Sequence, residues 1–388
     1  MIDLVYERHW SSLNNLVAAL RGMDCMGRLY GGFPRFRYEK AGIPREIIRT
    51  FPAASLWNFG ARRIGLPEGL LLDEPRWVGN WAARHSDLAS VVMANGTAHR
   101  YLFPQIKDTG KLLILERGST HPIDLYLKPQ QARKEAGFDY SFELPNAVLD
   151  EIEKTELADY ILAGSEVIKS SYVAQGFPAE RILVASYGVD INQFIPSHEQ
   201  AQRASPLRIG IVGILSFRKG VLRALRIGEW ASKVGIKLEL HFVGPVFDPE
   251  CLQLIKASPA TCVLHGVLKG SFLREFLQSC DAICLPSYEE GFGVSVLEGM
   301  STGLPAIVSR EAGCSEAVMQ GINGMILEKF DESEFDHVLD APLRNREALA
   351  TIGFAARETV VRNYQTSHSI TRIQQAVRKM IQMGHSTQ

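Results

Sequence analysis

Apolar and polar positions fall into two alternating rhythms along this chain. From residue 207 onward, short runs of β-forming residues give way to stretches with apolar positions three and four apart. LRIGIVG (207–213) precedes a helical pattern starting near Val221, KLELHFVG (237–244) precedes one over 249–257, and TCVLHG (261–266) precedes SFLREFLQSC. DAICLPS (281–287) and LPAIVS (304–309) follow, each with its own helix. This punctuation predicts a parallel sheet with helices on both faces. Ligands of such sheets bind at the carboxyl ends of the strands.

The first half carries the same rhythm more faintly. LLILERGS (112–119) and ADYILAGS (158–165) have the composition of buried strands, with a helix over 166–176, so this half reads as a second α/β domain. The opening, MIDLVYERHWSSLNNLVAALRG, predicts a short strand or loop and then a helix over 13–20. FIPSHEQAQRASP (194–206) is polar, proline-bounded and aperiodic, which marks a linker. From about 344 the tail is helical through RETVVRNY, breaks near Gln365-Thr366-Ser367 and resumes over 368–383. The expected division is therefore 1–194, a linker at 195–206, a second domain at 207–364 and a terminal helical segment at 365–388. No internal repeat or low-complexity segment interrupts it.

Composition narrows the class. A chain of 388 residues exceeds what one core usually supports, and 46% hydrophobic content is ordinary for a globular protein. A formal net charge of −1 provides no global field to recruit nucleic acid, and no recognised RNA- or DNA-binding motif occurs. The six cysteines, at 25, 251, 262, 280, 284 and 314, show no metal spacing and read as free thiols in a reducing compartment. No secretory leader opens the chain, and no apolar stretch reaches a membrane span. The expectation is a cytoplasmic protein, free or peripheral to a membrane.

The candidate chemistry centres on SYEEGFGVSVLEGMSTG (287–303), where Glu290 and Glu298 flank Gly291 and Gly293. The glycines place Glu290 on a loop between a strand and a helix. A glycine loop at a helix N-terminus favours a phosphate, and two carboxylates beside it can accept hydrogen bonds from sugar hydroxyls. The competing reading is structural: Ser295-x-x-Glu298 and Ser287-x-x-Glu290 both have capping-box spacing. Arg218 and Lys219, in ILSFRKG after the strand 207–213, suit a diphosphate or are a solvated basic pair. In HGVLKGS (265–271), backbone groups of Val267 meet a nucleobase edge or form only a turn. Residues 27–65 hold eight Lys or Arg against two acids, with Phe33, Phe36, Tyr38, Phe51, Trp57 and Phe59 among them. Such a surface docks on anionic headgroups, holds a lipid pyrophosphate acceptor or stacks on sugars; the alternative is a charged surface whose aromatics lie in the core.

RKG (218–220), HGVLKG, PSYEEGFGVSVLEGMSTGLPAIVS (286–309) and Glu316 of AGCSEAV together resemble the carboxyl-terminal domain of GT-B glycosyltransferases, specifically the retaining family 4 type. Residues 158–194 are similar to the segment that ends that family's amino-terminal domain, and the resemblance runs from about 110 to the end. It implies an α/β GT-B fold of two Rossmann-like domains facing each other across a cleft, with the last helix crossing back onto the first domain. It further implies retaining transfer of a sugar from a nucleotide-sugar donor to a glycan or lipid-linked acceptor. By this resemblance Glu298 holds the ribose, Glu290 a donor-sugar hydroxyl, the amides near Phe292, Gly293 and Val294 the sugar and phosphate, and Arg218 and Lys219 the diphosphate, with Glu316 a further donor contact. His121 in ERGSTHP (116–122) stands where the family has a histidine near the donor sugar. Gly31-Gly32 in RLYGGFPRF correspond to the glycine pair of the family's first loop, with Arg35 beside them as an acceptor contact. Where the family often has Arg after the strand's glycine this chain has Ile214, which shifts phosphate duty to Arg218. No cofactor and no metal are expected, since no Asp-x-Asp occurs. A GT-B epimerase or phosphorylase, or a sugar-nucleotide binding protein without turnover, are the alternatives.

Overall fold

The computed structural model describes residues 1–7, 11–197 and 206–386; most of the expected linker, 198–205, lies outside the described residues. Seven parallel strands form the first sheet: β1 (Ile2–Tyr6), β2 (Met26–Gly31), β3 (Ile48–Thr50), β4 (Val91–Asn95), β5 (Leu112–Arg117), β6 (Tyr160–Ala163) and β7 (Ile182–Val184), in the order β3-β2-β1-β4-β5-β6-β7. Six parallel strands form the second: β8 (Leu207–Val212), β9 (Leu238–Val243), β10 (Thr261–Leu264), β11 (Ala282–Leu285), β12 (Ala306–Ser309) and β13 (Gly324–Leu327), in the order β10-β9-β8-β11-β12-β13. Each sheet is covered by apolar clusters on both faces. The chain reverses direction across the sheet between β1 and β4, and again between β8 and β11. Those two switch points open crevices at the strands' carboxyl ends, and the two ends face each other.

The opening segment is a strand rather than a loop. All five residues of β1 are buried, Asp3 included, because its carboxylate accepts from the Arg28 and Ala89 amides at 2.6 and 2.9 Å. Phe194, at the start of the expected linker, packs in the second domain's core. The terminal helix starts at Thr366 and runs to Ser386. It lays Ile373, Ala376, Val377 and Met380 against Leu13, Leu16, Val17 and Leu20 of the helix Ser11–Arg21, which fits one apolar face at three- and four-residue spacing. The two crossings between domains are pinned together: Val189 N donates to Tyr364 O at 2.8 Å and Thr366 N to Val189 O at 3.1 Å. A methyl on Gly188 would sit 2.5 Å from Gln365 O, so the strands of this hinge approach closer than any side chain allows. Among the described residues no helix is long and apolar enough to cross a membrane.

Candidate functional site

The loop after β11 and the loop after β8 are stitched into one surface. Tyr288 N donates to Arg218 O at 2.9 Å, and Gly220, at φ +76, lies so close that a methyl there would be 2.0 Å from Pro286 O. This brings the basic pair beside the acidic one, about seventy residues away in sequence. Lys219 Nζ contacts Glu290 Oε2, while Arg218 Nη1 donates to Glu289 Oε2 at 2.8 Å and stands 4.0 Å from Glu290 Oε2. Burial, and next the charge of Arg218, push the Lys219 ammonium down to about 7.

The helix Val294–Ser301 is preceded by Gly293, whose φ of +96, and the 2.4 Å at which a methyl there would meet Leu285 Cδ2, disfavour any side chain. No side chain caps it. The capping-box reading therefore fails: Ser295 Oγ donates instead to Val212 O at 3.1 Å, and Glu298 lies one turn inside the helix. The Val296 amide turns back to Gly293 O at 3.0 Å, while the amides ahead of it have no preceding helical carbonyl to donate to, which favours an anion there. No hydrogen bond or ion pair among the described residues uses the Glu298 carboxylate, and burial pushes it up to about 7.

Above that helix end the two domains enclose a cavity of about 370 Å³. Glu290, Phe292, Gly293 and Val294 form one wall; Asn95, Gly96, Arg117, Gly118, Ser119 and Tyr187 form the other. Phe292 is buried edge-to-face against Tyr187, from the opposite wall. The first-domain wall is held from beneath: Glu116 accepts from Asn95 Nδ2 and, at 3.4 Å, from Tyr6 Oη, and Arg117 Nη1 donates to Glu151 Oε1 at 2.9 Å and to Gly96 O at 3.2 Å. Burial pushes Glu116 up to about 7.

Other candidates lie elsewhere. His121 is buried, and its Nδ1 accepts from Ile123 N at 3.3 Å as the cap of the helix Pro122–Glu135. Burial and then the Arg117 charge push it down to about 4, and it lines a separate cavity of about 220 Å³. Gly118 and Ser119, three and two residues earlier, occupy the cleft position assigned to it. Glu316 gives both carboxylate oxygens to the first domain, accepting from Glu166 N at 3.1 Å and from Ser186 Oγ. Val267 is 54% exposed on the loop after the edge strand β10 and does not line the cavity. Gly31 ends β2 and Gly32 follows it, so the pair does not belong to the loop after the first strand; a methyl on Gly31 would strike the Tyr38 ring and one on Gly32 would sit 2.3 Å from Glu7 O. Arg35 is exposed at the start of the helix Arg35–Lys40, outside the cleft cavity.

The basic aromatic region divides in a way its sequence did not foretell. Tyr38 is core, but the helix Ala53–Arg63 buries Ala54, Ser55, Asn58 and Ala61 and turns Leu56, Trp57 and Phe59 outward. Asn58 is held inside by Leu72 and Glu74. Phe33, Phe36, Arg37, Phe59, Arg62 and Arg63 line a groove of about 750 Å³ beside it. Two groups at the cleft escaped the sequence reading: Glu289, hidden beside Glu290, and Arg117 with Glu116, at the end of a quoted strand whose charged pair was itself the signal. Among the described residues no cluster of three or more His, Cys, Asp or Glu is placed to hold a metal ion.

Residues 196–359 match the family model for glycosyl transferases group 1. The chain is 28% identical over 218 residues to a D-inositol 3-phosphate glycosyltransferase from Stackebrandtia nassauensis, covering 50% of this chain and 48% of that one. It is 29% identical over 157 residues to the N,N'-diacetylbacillosaminyl-diphospho-undecaprenol alpha-1,3-N-acetylgalactosaminyltransferase of Campylobacter jejuni, covering 37% and 40%. The chain spans about half the length of the curated relatives it matches. Its fold is similar to that of Anabaena HepE crystallised with UDP and glucose, with a TM-score of 0.67 at 16% identity and 98% of each chain covered.

Proposed function

From a chain that has the GT-B fold and carries a glycosyl transferases group 1 domain over residues 196–359, we propose a glycosyltransferase that moves a hexosyl group from a nucleotide-sugar donor to a glycan or lipid-linked saccharide. The observation that carries this reading is the convergence of Lys219, Arg218 and Glu290 on the open N-terminus of the helix Val294–Ser301, with Glu298 one turn in.

In this reading the diphosphate lies between Lys219, Arg218 and the amides of Gly293 and Val294. Negative charge grows on the leaving nucleotide as the sugar carbon becomes oxocarbenium-like, and these groups stabilise it in place of a metal. Glu290 orients the donor sugar and Glu298 the ribose. The acceptor hydroxyl attacks on the leaving-group face and gives its proton to the departing phosphate, so configuration is retained. Closure across the 370 Å³ cavity excludes water from the donor. The outward Leu56, Trp57 and Phe59 and the arginines of the neighbouring groove support a lipid-linked acceptor met at the cytoplasmic face of an anionic membrane. The names of the relatives, one of which acts on a diphospho-undecaprenol, support the same class.

The test is release of nucleoside diphosphate from a panel of UDP, GDP and ADP sugars, with and without polyprenyl-diphosphate saccharides and with a chelator present. Acceptor-dependent release unaffected by the chelator, with a product of the donor's anomeric configuration, is expected. Conversion of the sugar nucleotide without acceptor assigns an epimerase instead, and binding without turnover a sensor. Failure of the Trp57→Glu variant to lose sedimentation with anionic vesicles removes the membrane part.

A further inference from the structure

Glu289 is a fully buried carboxylate whose two oxygens serve different domains. Oε1 accepts from Thr120 Oγ1 at 2.8 Å and from Thr120 N at 3.2 Å, both on the first domain after β5. Oε2 accepts from Arg218 Nη1 at 2.8 Å, and the Glu289 carbonyl accepts from the same nitrogen at 3.1 Å. Thr120 is itself fully buried, so this bridge is out of water. Two features surround it. A methyl on Gly291 would lie 1.9 Å from Gly118 O, and Ser165 Oγ donates to Gly291 O at 2.6 Å, so the domains touch backbone to backbone within two residues of the bridge.

We infer that Glu289 is a positioning residue that couples closure of the two domains to the availability of Arg218 for the donor's diphosphate. The inference rests on the proposed donor site and adds a group that site did not contain. A buried carboxylate needs a counterion, and Arg218 supplies it from the second-domain side. An arriving diphosphate competes with Glu289 for that guanidinium, as it competes with Glu290 for Lys219. Binding the donor therefore weakens the Arg218–Glu289 pair and leaves the Thr120 contact to hold the carboxylate. The strength of closure and the charge offered to the diphosphate are linked through one side chain. Neutralising it separates them: Arg218 loses its internal competitor and the domains lose part of their clasp.

The test uses the full chain as wild type, Glu289→Gln and Thr120→Val. Two readouts are taken: amide hydrogen exchange of 118–121 in the free protein, and calorimetric affinity for UDP, GDP and ADP. Glu289→Gln is expected to raise exchange at 118–121 and to bind the preferred nucleoside diphosphate about five- to tenfold more tightly, while any transfer becomes slower. Thr120→Val is expected to raise the same exchange with affinity within about twofold. A role in packing alone would leave affinity unchanged or lower it in Glu289→Gln, and that result overturns the inference. Unchanged exchange at 118–121 in both variants overturns it as well. If the wild type binds none of the three nucleotides, the donor reading fails while the exchange result still decides the clasp. Should Glu289→Gln not fold, Thr120→Val decides by the same exchange readout, with a weakened affinity counting against the coupling.

Discussion

Replacing Glu298 by glutamine removes a carboxyl that burial holds at about 7 instead of the usual 4.5. Between those values the folded protein binds a proton that the unfolded chain has released. Stability therefore falls as pH rises through that window, and the whole penalty is present above pH 7. The gap of about 2.5 pH units corresponds to about 3.4 kcal/mol at most, and to about 1–3 kcal/mol once partial solvent access is allowed for. Glutamine fills the same volume without titrating. The Glu298→Gln variant should thus be more stable than the parent by about 1–3 kcal/mol at pH 8, a rise of about 2–4 °C per kcal/mol in the melting temperature of the second domain, and nearly equal to it at pH 4.5. The same change costs a charged acceptor for two ribose hydroxyls, a loss of about tenfold to a hundredfold in nucleoside diphosphate affinity at pH 8. Melting at the two pH values, paired with calorimetry, reads both. A variant less stable at pH 8, or one that binds nucleotide as tightly as the parent, would refute the view that Glu298 is a carboxylate kept at a cost for a ligand.

Gly291→Ala places a methyl against Gly118 O and should slow transfer at least tenfold while leaving nucleoside diphosphate affinity within about threefold, since only closure is blocked; steady-state kinetics beside calorimetry checks it, and equal losses in both would deny the distinction. At pH 8 the Lys219 amine, pushed down to about 7, is mostly neutral, and a bound diphosphate restores its charge. Binding should therefore take up to about 0.9 proton, measured from calorimetric enthalpies in buffers of different ionisation heat, and Lys219→Met should abolish the uptake. His121→Ala loses a helix cap and is expected to cost about 1 kcal/mol of stability with transfer within about threefold of wild type; a loss of transfer beyond a hundredfold in a folded variant would return His121 to the reaction.

Five of the second domain's six strands were legible because each is a short apolar run set off by glycine or proline, as in LRIGIVG and DAICLPS, whereas β13, only GMIL, was not read. The first domain was less so. β2 reads MGRLYG and β4 only VVMAN, too short and too mixed to announce strands, yet parallel pairing on both sides of β1 makes them so. The glutamate pair with its glycines could be found from spacing, but which role Ser295 and Glu298 play depended on where the helix starts, and that was settled by the left-handed Gly293. Glu289 was invisible for a different reason. Its partners Thr120 and Arg218 lie 169 and 71 residues away, and only the folded chain brings both to one carboxylate. The direction of His121 was not legible from residue type: Pro122 starts a helix there, and the ring turns back to cap it.

A crystal of the full chain soaked with its preferred nucleoside diphosphate tests the central claim most directly. The phosphates should lie between Lys219 Nζ and the amides of Gly293 and Val294, with the ribose on Glu298. An ordered nucleotide bound elsewhere, with Lys219 still on Glu290 and the helix end empty, would contradict it.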